Sequence, residues 1–530
     1  MQEIEEDRLT RQEENHFESN AEFLLIGNNK FGEKFQLNYM AGANFMYSDQ
    51  NIYGGDVENM TYKNQWYWNF ANNINNVTEN GWRRVTNSVF GSVQMAYNEY
   101  VSLDITARND WSSTLPKDNN SYFYPSFNLG FVASDFVRTH WNKMPEWITF
   151  AKVRLSAAKV GKDAPPYAIY NRWEGGYLKG QAKKPELSST KANNNLRPET
   201  SWSYEAGLDM KFLNNRLGFD FTYYYTRTTD QIMTIPEAAP WKLRWINSGL
   251  IVNKGVEAMI YATPVQTKDF TFNLNVNLSH NTSTVKELNE KKKHIYFEGD
   301  QFMPVYVGAV EGGKLGDIYA KRMYKRDENG QIIMKNGVPV FTTDEQYSLD
   351  HPIGNIQPDL LMSVTPSFTY KGFTLSALFD MKFGGDVVSV SEAIATSHGI
   401  SKRTEQRGEL LLPGMNEDGT VNTQRIDAQL FYQAVGGRQQ AVAEEFVYNA
   451  SFIRLKEISF GYSFPSLLLR KTPVSSLRVS FVGRNLAYLM KHTPGTSPEG
   501  GYDTSMFSQA LDFSSLPYSR TFGFSINVGF

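Results

Sequence analysis

Period-two alternation of apolar and polar side chains runs through most of this chain. In the segment Trp202, Tyr204, Ala206, Leu208, Met210 and Phe212, every even position is apolar, while Ser203, Glu205, Gly207, Asp209 and Lys211 fall between them. Such a strand has one face suited to hydrocarbon and one suited to water. After Asn214-Asn215 the pattern resumes, with Leu217, Phe219, Phe221, Tyr223 and Tyr225 set against Gly218, Asp220, Thr222, Tyr224 and Thr226. Two alternating runs joined by a tight Asn-Asn turn predict a hairpin. The run Phe272, Leu274, Val276 and Leu278 has a polar face of Thr271, Asn273, Asn275, Asn277 and Ser279. A dry core would leave those amides without partners, whereas a water-filled lumen would solvate them.

Applied along the whole chain, the alternation template gives about fifteen strands. They span 17–27, 35–47, 86–97, 100–111, 122–134, 148–160, 201–212, 216–229, 245–262, 270–283, 359–370, 373–385, 451–464, 476–488 and 520–530. The connections carry information of their own. Those at 28–34, 98–99, 213–215, 263–269, 371–372 and 465–475 are short; 135–147 is of moderate length, with room for a helical turn. Between them lie 48–85, 112–121, 161–200, 230–244, 284–358, 386–450 and 489–519, which are mostly long. Within 284–358, Asp327-Glu328-Asn329-Gly330 and Lys335-Asn336-Gly337 predict a small hairpin.

Strict alternation of short and long connections puts all long loops at one end, as in an outer-membrane barrel with short periplasmic turns and long extracellular loops. Counted back from the C-terminus, the last strand descends toward the periplasm and so does the first. Residues 1–16 are then expected to be the remnant of an extracellular loop, with 17–530 forming the C-terminal part of a barrel. Two end strands of the same direction cannot pair antiparallel to close a ring, so the odd count implies further strands upstream.

Composition agrees with this picture. Aromatic residues make up 14% of the 530 residues, yet mean hydropathy is −0.45, so apolar residues are dispersed among polar ones. No stretch approaches the roughly 18 consecutive apolar residues of a spanning helix. Cysteine is absent, which excludes disulfides, thiolate metal sites and cysteine nucleophiles. A net charge of −3 gives no field for nucleic acid, so nucleic acid is not expected as a partner. The opening residues Met1-Gln2-Glu3-Ile4-Glu5-Glu6-Asp7-Arg8 are charged and do not read as a secretory signal.

The final strand places Phe522, Phe524, Ile526, Val528 and Phe530 on one face and Gly523, Ser525, Asn527 and Gly529 on the other. An amphipathic last strand ending on an aromatic residue resembles the signal recognised by the outer-membrane barrel assembly machinery.

The chain also resembles the C-terminal half of the SusC/RagA transporters. The segments that carry the likeness are Arg108-Asn109-Asp110-Trp111-Ser112-Ser113, Tyr124-Pro125-Ser126, and the run from Asn195-Leu196-Arg197-Pro198-Glu199 to Tyr204-Glu205-Ala206-Gly207. Others are Asn247-Ser248-Gly249 leading to Asn253-Lys254-Gly255-Val256-Glu257, the Tyr370-Lys371-Gly372-Phe373 turn, and Gly384-Gly385-Asp386. Near the end come Phe452-Ile453-Arg454-Leu455-Lys456-Glu457-Ile458, Gly483-Arg484-Asn485-Leu486 and Ser497-Pro498-Glu499. The resemblance implies an all-β transmembrane antiparallel barrel of roughly 22 strands, of which about fifteen are present here, with the N-terminal plug domain absent. It further implies TonB-energised import, a SusD-like surface lipoprotein as partner, and uptake of glycan or oligopeptide fragments across an outer membrane of a Bacteroidetes-like bacterium.

Candidate chemistry is sparse. His16, His140, His280, His294, His351, His398 and His492 show no metal-ligand spacing. Ser279-His280 would lie near a barrel rim where hydrolases of this architecture carry dyads, but nothing names an acid partner. An enzyme is therefore not expected, and a barrel hydrolase stays the rival reading beside a passive pore or structural barrel. Asp327-Glu328 and Glu417-Asp418 lack the Asp-x-Asp-x-Asp spacing of a calcium loop, so no cofactor is expected. For ligand contact the candidates are the loop aromatics Trp66 and Trp68 with Tyr67 between them, Trp173, Tyr177 and Trp241. Their flat faces suit stacking on sugars or peptides, although interfacial girdle and loop self-packing use the same residues.

Overall fold

In a computed structural model, the described residues are 8–62, 65, 67–141, 144–178, 181–288, 293–299, 303–502 and 508–530. Fifteen long strands form one meander in which sequence neighbours are hydrogen-bonded neighbours. They are β1 (Arg8–Phe31), β2 (Phe35–Met60), β3 (Ala71–Tyr97), β4 (Val101–Ser112), β5 (Ser121–Val132), β6 (Ile148–Lys162), β7 (Glu199–Phe212) and β8 (Leu217–Pro236). The remainder are β9 (Leu243–Gln266), β10 (Phe270–Glu287), β11 (Leu360–Tyr370), β12 (Phe373–Phe383), β13 (Phe452–Ser463), β14 (Ser476–Lys491) and β15 (Thr521–Gly529). Contacts divide the chain into two compact units. One comprises Met1–Val132, Arg154–Glu205 and Thr226–Leu250; the other comprises Ala133–Val153, Ala206–Tyr225 and Ile251–Phe530.

Each expected strand has its counterpart, but several are longer. Pairing of β1 with β2 runs unbroken from Arg8↔Glu58 to Phe31↔Phe35, so residues 8–16, expected as loop, are strand. Likewise β2 and β3 extend through most of 48–85. Crossing hydrocarbon takes about 9–11 residues per strand, and β1, β2 and β3 have 24, 26 and 27. Where both faces of a strand meet water, as at Glu13-Glu14-Asn15, alternation has no reason to persist. The apolar pattern therefore marks the hydrocarbon-crossing part and falls silent beyond it.

Tight turns supply the register. Between β11 and β12, Lys371 and Gly372 both have positive φ, 45° and 89°, the mirror-image turn that suits the right-handed twist of paired strands. The moderate connection after β5 does hold a helix, α1 (Ala133–His140).

In the first unit, the connections after β4 and β6 pack a small core of Leu115, Ala164, Ala168, Ile169 and Leu196. Beside it the buried carboxylate of Asp163 is paired with Arg84 at 3.0 Å and accepts from Thr114 at 3.0 Å and from Ser112. Arg108 of β4 pairs with Asp110 at 2.7 Å, and the Tyr124 hydroxyl donates to the same carboxylate. The Arg108–Ser113 segment is thus a polar network on the water-facing side of the sheet.

In the second unit, the connections 284–358, 386–450 and 489–519 fold together into a body with its own dry core. Met303, Val305, Val307 and Ile318 come from the first connection, Val388, Ala393 and Phe446 from the second, and Ala510 and Leu511 from the third. Val387 and Val388 pair antiparallel with Tyr448 and Val447, and Val388 pairs parallel with Leu511. Short helices are capped as their sequences require: Asp344 accepts the Tyr347 N–H at the start of α2 (Glu345–Asp350), and Ser389 accepts the Glu392 N–H at α3 (Val390–Ser397). Asp427 accepts from Gln429 and Leu430 at α4 (Ala428–Val435). The small hairpin expected at Lys335-Asn336-Gly337 is present, with Met334↔Pro339 and Lys335↔Val338 in register.

Candidate functional site

Beneath this loop body, a cavity of about 1400 Å³ opens against the polar face of β8 to β12. Register explains the lining. Asn277 faces Ser363, and Ser363 faces Asp380; one row on, Ser279 faces Leu361, and Leu361 faces Lys382. Period two puts these amides, hydroxyls and charges on the face opposite Phe272, Leu274 and Val276. Asn277 donates to Ser363 Oγ at 3.2 Å, the cross-strand polar contact expected of a wetted face.

On the other face the aromatic side chains form cross-strand pairs. Phe272 and Phe368 stack with centroids 4.6 Å apart, and Phe481 meets Phe522 and Phe524 at 6.0 and 5.6 Å. Phe524 is 79% exposed and Phe530 86%. A water-soluble domain would not display such a face; a wall in hydrocarbon requires it.

The rim of the cavity is organised by Arg454 of β13. Its side chain is only 7% exposed and pairs with Asp380 of β12 at 2.6 Å and with Glu499 at 2.6 Å. Lys456 adds a second cation to Asp380 at 3.2 Å. Tyr488 donates to Glu499 at 3.1 Å, and the Arg454 guanidinium lies 5.5 to 5.9 Å from the ring centroids of Phe452, Tyr488 and Tyr518. Planar charge, two carboxylates and aromatic walls are the setting in which arginine outperforms lysine. The Phe452–Ile458 and Ser497–Glu499 segments therefore meet in one ion-pair cluster that fastens the 492–519 connection to the wall.

A second fastening lies at Asn355. Its side-chain amide donates to Asp317 at 2.7 Å and its backbone N–H to Asp386 at 3.0 Å. Burial holds both carboxyls above the usual carboxylate range. Gln357 completes the joint by donating to the Leu315 carbonyl at 2.7 Å and accepting from the Ser283 N–H.

The sequence-derived candidates fall elsewhere. Trp66 lies outside the described residues. Trp68 sits in the short helical turn Trp68–Phe70. Trp173 is 70% exposed on the strand Trp173–Leu178, which also carries Tyr177. Trp241 is half-buried and its backbone N–H donates to the Ala238 carbonyl. Of the described side chains among these, Trp68, Trp173 and Trp241 do not line the cavity. His280 does not face Ser279 as a dyad, since its Nδ1 meets the Asp359 carbonyl. Among the described residues no group of three His, Asp or Glu gathers as for a metal. Lys382, Asp380 and Glu499 were not singled out by their chemistry, because isolated charges on alternating strands read as ordinary solvated positions. The signal available was their place in or beside the family segments.

Comparison with known proteins places this geometry. The family model "TonB dependent receptor-like, beta-barrel" matches residues 6–316. The chain is 27% identical over 474 residues to "TonB-dependent receptor P3" of Formosa agariphila, covering 84% of this chain and 45% of that protein. It is 25% identical over 451 residues to "TonB-dependent receptor SusC" of Bacteroides thetaiotaomicron, covering 80% of this chain and 43% of that protein. In fold it matches the "RagAB peptide transporter" structure with TM-score 0.72 at 18% identity, covering 99% of this chain and 56% of that one. The chain thus spans about half the length of the curated relatives it matches. These likenesses, which are to receptors and not to enzymes, put it in the outer membrane of a Gram-negative, Bacteroidetes-like bacterium. The matched span covers more than half of the chain, which belongs to the TonB-dependent receptor-like β-barrel family, with its likeness to the SusC/RagA type.

Proposed function

We propose that the chain is the C-terminal wall and loop body of an outer-membrane importer of the SusC type. It is energised through TonB and takes up glycan or oligopeptide fragments passed on by a SusD-like surface lipoprotein. The observation that carries this reading is the cavity: about 1400 Å³ of space lined by amides, hydroxyls and charges interspersed with apolar side chains such as Met259, Leu361 and Met381, with a folded body above it. A passive pore has no need of a roof built from three connections with a common core. The volume exceeds the usual range for small-molecule sites, about 300–1,000 Å³, and so suits an oligomeric nutrient. The loop aromatics Trp66, Trp68, Trp173, Tyr177 and Trp241 are proposed as contacts for the ligand or the lipoprotein on its way in. The Phe522–Phe530 face is proposed as the assembly signal.

The test uses the full-length protein reconstituted in liposomes with and without a SusD-like lipoprotein from the same genome. Oligosaccharide or oligopeptide fragments should be retained only when both are present. Tight uptake of a bare metal chelate, or equal retention without the lipoprotein, overturns the reading.

A further inference from the structure

The charges that line the cavity are not equivalent. Five carboxylates, those of Asp220, Glu257, Asp380, Asp386 and Glu499, share it with the single ammonium group of Lys382. Asp380 and Glu499 are engaged by Arg454 and Lys456. Asp386 accepts the Asn355 N–H, and Asp220 also has a partner. Among the described residues, neither Lys382 nor Glu257 is in an ion pair.

These two side chains share a row across the wall. Lys382 is in register with Leu361, and Leu361 with Ser279. Gly255 of β9 abuts the His280 carbonyl, and the Tyr224 hydroxyl beside it reaches Asn281 at 2.9 Å. Antiparallel pairing therefore puts Glu257, two residues further along, beside Ser279. From β9 to β12 is three strand spacings, which separates the two α-carbons by about 14 Å.

From this arrangement we propose that the cavity binds a short oligopeptide of about four residues by its ends, Lys382 taking the C-terminal carboxylate and Glu257 the N-terminal ammonium. An extended chain gains about 3.3 Å per residue, so about four residues cover the separation. The amides and hydroxyls between, Asn277, Ser279 and Ser363, match backbone N–H and C=O groups. Glu499 and Asp386 stand near Lys382 without closing on it as ion pairs; a neutral glycan would strip water from Lys382 and bring no counter-charge of its own, which is the costly way to bury an ion. A polyanionic glycan would pair with Lys382 and be repelled by Glu257. A zwitterion satisfies both ends. This inference rests on the importer reading and selects the peptide from its two substrate classes.

The experiment measures binding to the full-length protein with its lipoprotein, in detergent, of four probes: tetra-alanine with free termini, its C-terminal amide, its N-acetyl form, and a neutral tetrasaccharide. Free tetra-alanine should bind best. Amidation and acetylation should each weaken it about tenfold, the worth of one charge-assisted hydrogen bond. In Lys382→Met the amide and the free peptide should bind alike; in Glu257→Gln the acetylated and free peptides should bind alike. The heat-dependent gel mobility of each variant reports whether the barrel has folded. As a second check on folding, the exchange Glu257→Lys with Lys382→Glu keeps both charges and should still bind tetra-alanine. Equal binding of free and capped peptides overturns the proposal. Binding of the tetrasaccharide alone overturns it while leaving the importer reading in place, and failure of all four probes to bind counts against both.

Discussion

Within the second unit, the wall strands and the loop body use the same apolar residues in opposite senses. On β12 to β15, Phe373, Leu375, Phe460, Phe524 and Ile526 point outward and are exposed, while Asp380 and Lys382 face the cavity. In the loop body, Val307, Ile318, Val388 and Phe446 are fully buried. The wall has its dry side outside and is complete only in a bilayer. The loop body has its dry side inside and satisfies the hydrophobic effect by itself in water. One sheet-rich chain is thus two solutions to two solvents, joined where Arg454 reaches Glu499 and where Gln357 accepts from Ser283 of β10.

The largest expected effect comes from placing a charge in the loop core. Val388→Asp buries a carboxylate without a partner and should unfold the loop body, so that limited proteolysis cuts at 386–450 while the wall keeps its heat-dependent gel mobility. If cutting and mobility change together, the two regions are one cooperative unit. Phe446→Ala should cost about 3–5 kcal/mol in the loop body, read as a lower temperature of protease sensitivity. The same change at Phe524, exposed on the wall, should leave that temperature unmoved.

Arg454→Met removes the cation between Asp380 and Glu499. Asp380 keeps Lys456, while Glu499 is left with the Tyr488 hydroxyl; the loss should cost about 3 kcal/mol, seen as release of the 492–519 connection to protease with the rest of the loop body intact. Phe379→Arg, midway along β12 on the lipid face, should cost about 2–4 kcal/mol, measured as lower refolding yield into vesicles, and should leave the loop body unchanged.

The smallest effect is on pH dependence. Burial raises the carboxyls of Asp317 and Asp386 in the folded state above the ordinary 3.8, with Lys314 opposing the shift at Asp317, and Lys382 opposing and Asp359 adding to it at Asp386. The folded state therefore holds these protons more tightly than the unfolded chain. The extra stability is present below the ordinary value and is lost as pH rises through the raised one. The loop body should withstand heat slightly better at about pH 5 than at about pH 7.5. Asp317→Asn with Asp386→Asn should flatten the difference.

The division between wall and loops also explains what could be read from the sequence. Strand number and order were legible because each hydrocarbon-crossing segment must alternate locally, as Trp202–Phe212 does. Strand ends were not, since Glu13 or Glu58 meets water on both faces and leaves no pattern. The loop core was hidden for another reason: Val388 finds Leu511 across more than a hundred residues, and no local period records such a contact. Candidate ligand residues were sought among conspicuous aromatics such as Trp173, whereas the cavity gathers single charges like Lys382. Their meaning depends on register with Leu361 and Ser279.

The parallel pairing of Val388 with Leu511 also sets a timetable. Contacts so distant along the chain carry a heavy closure entropy and form late. Until the strand Leu511–Asp512 arrives, Val388 and Ser389 lack their parallel neighbour and that side of the core, at the start of α3, is uncovered. During biogenesis this patch would stand bare to surface proteases and sticky neighbours. Maturation of the roof is thereby a clock that starts only when the last connection reaches the far side of the membrane.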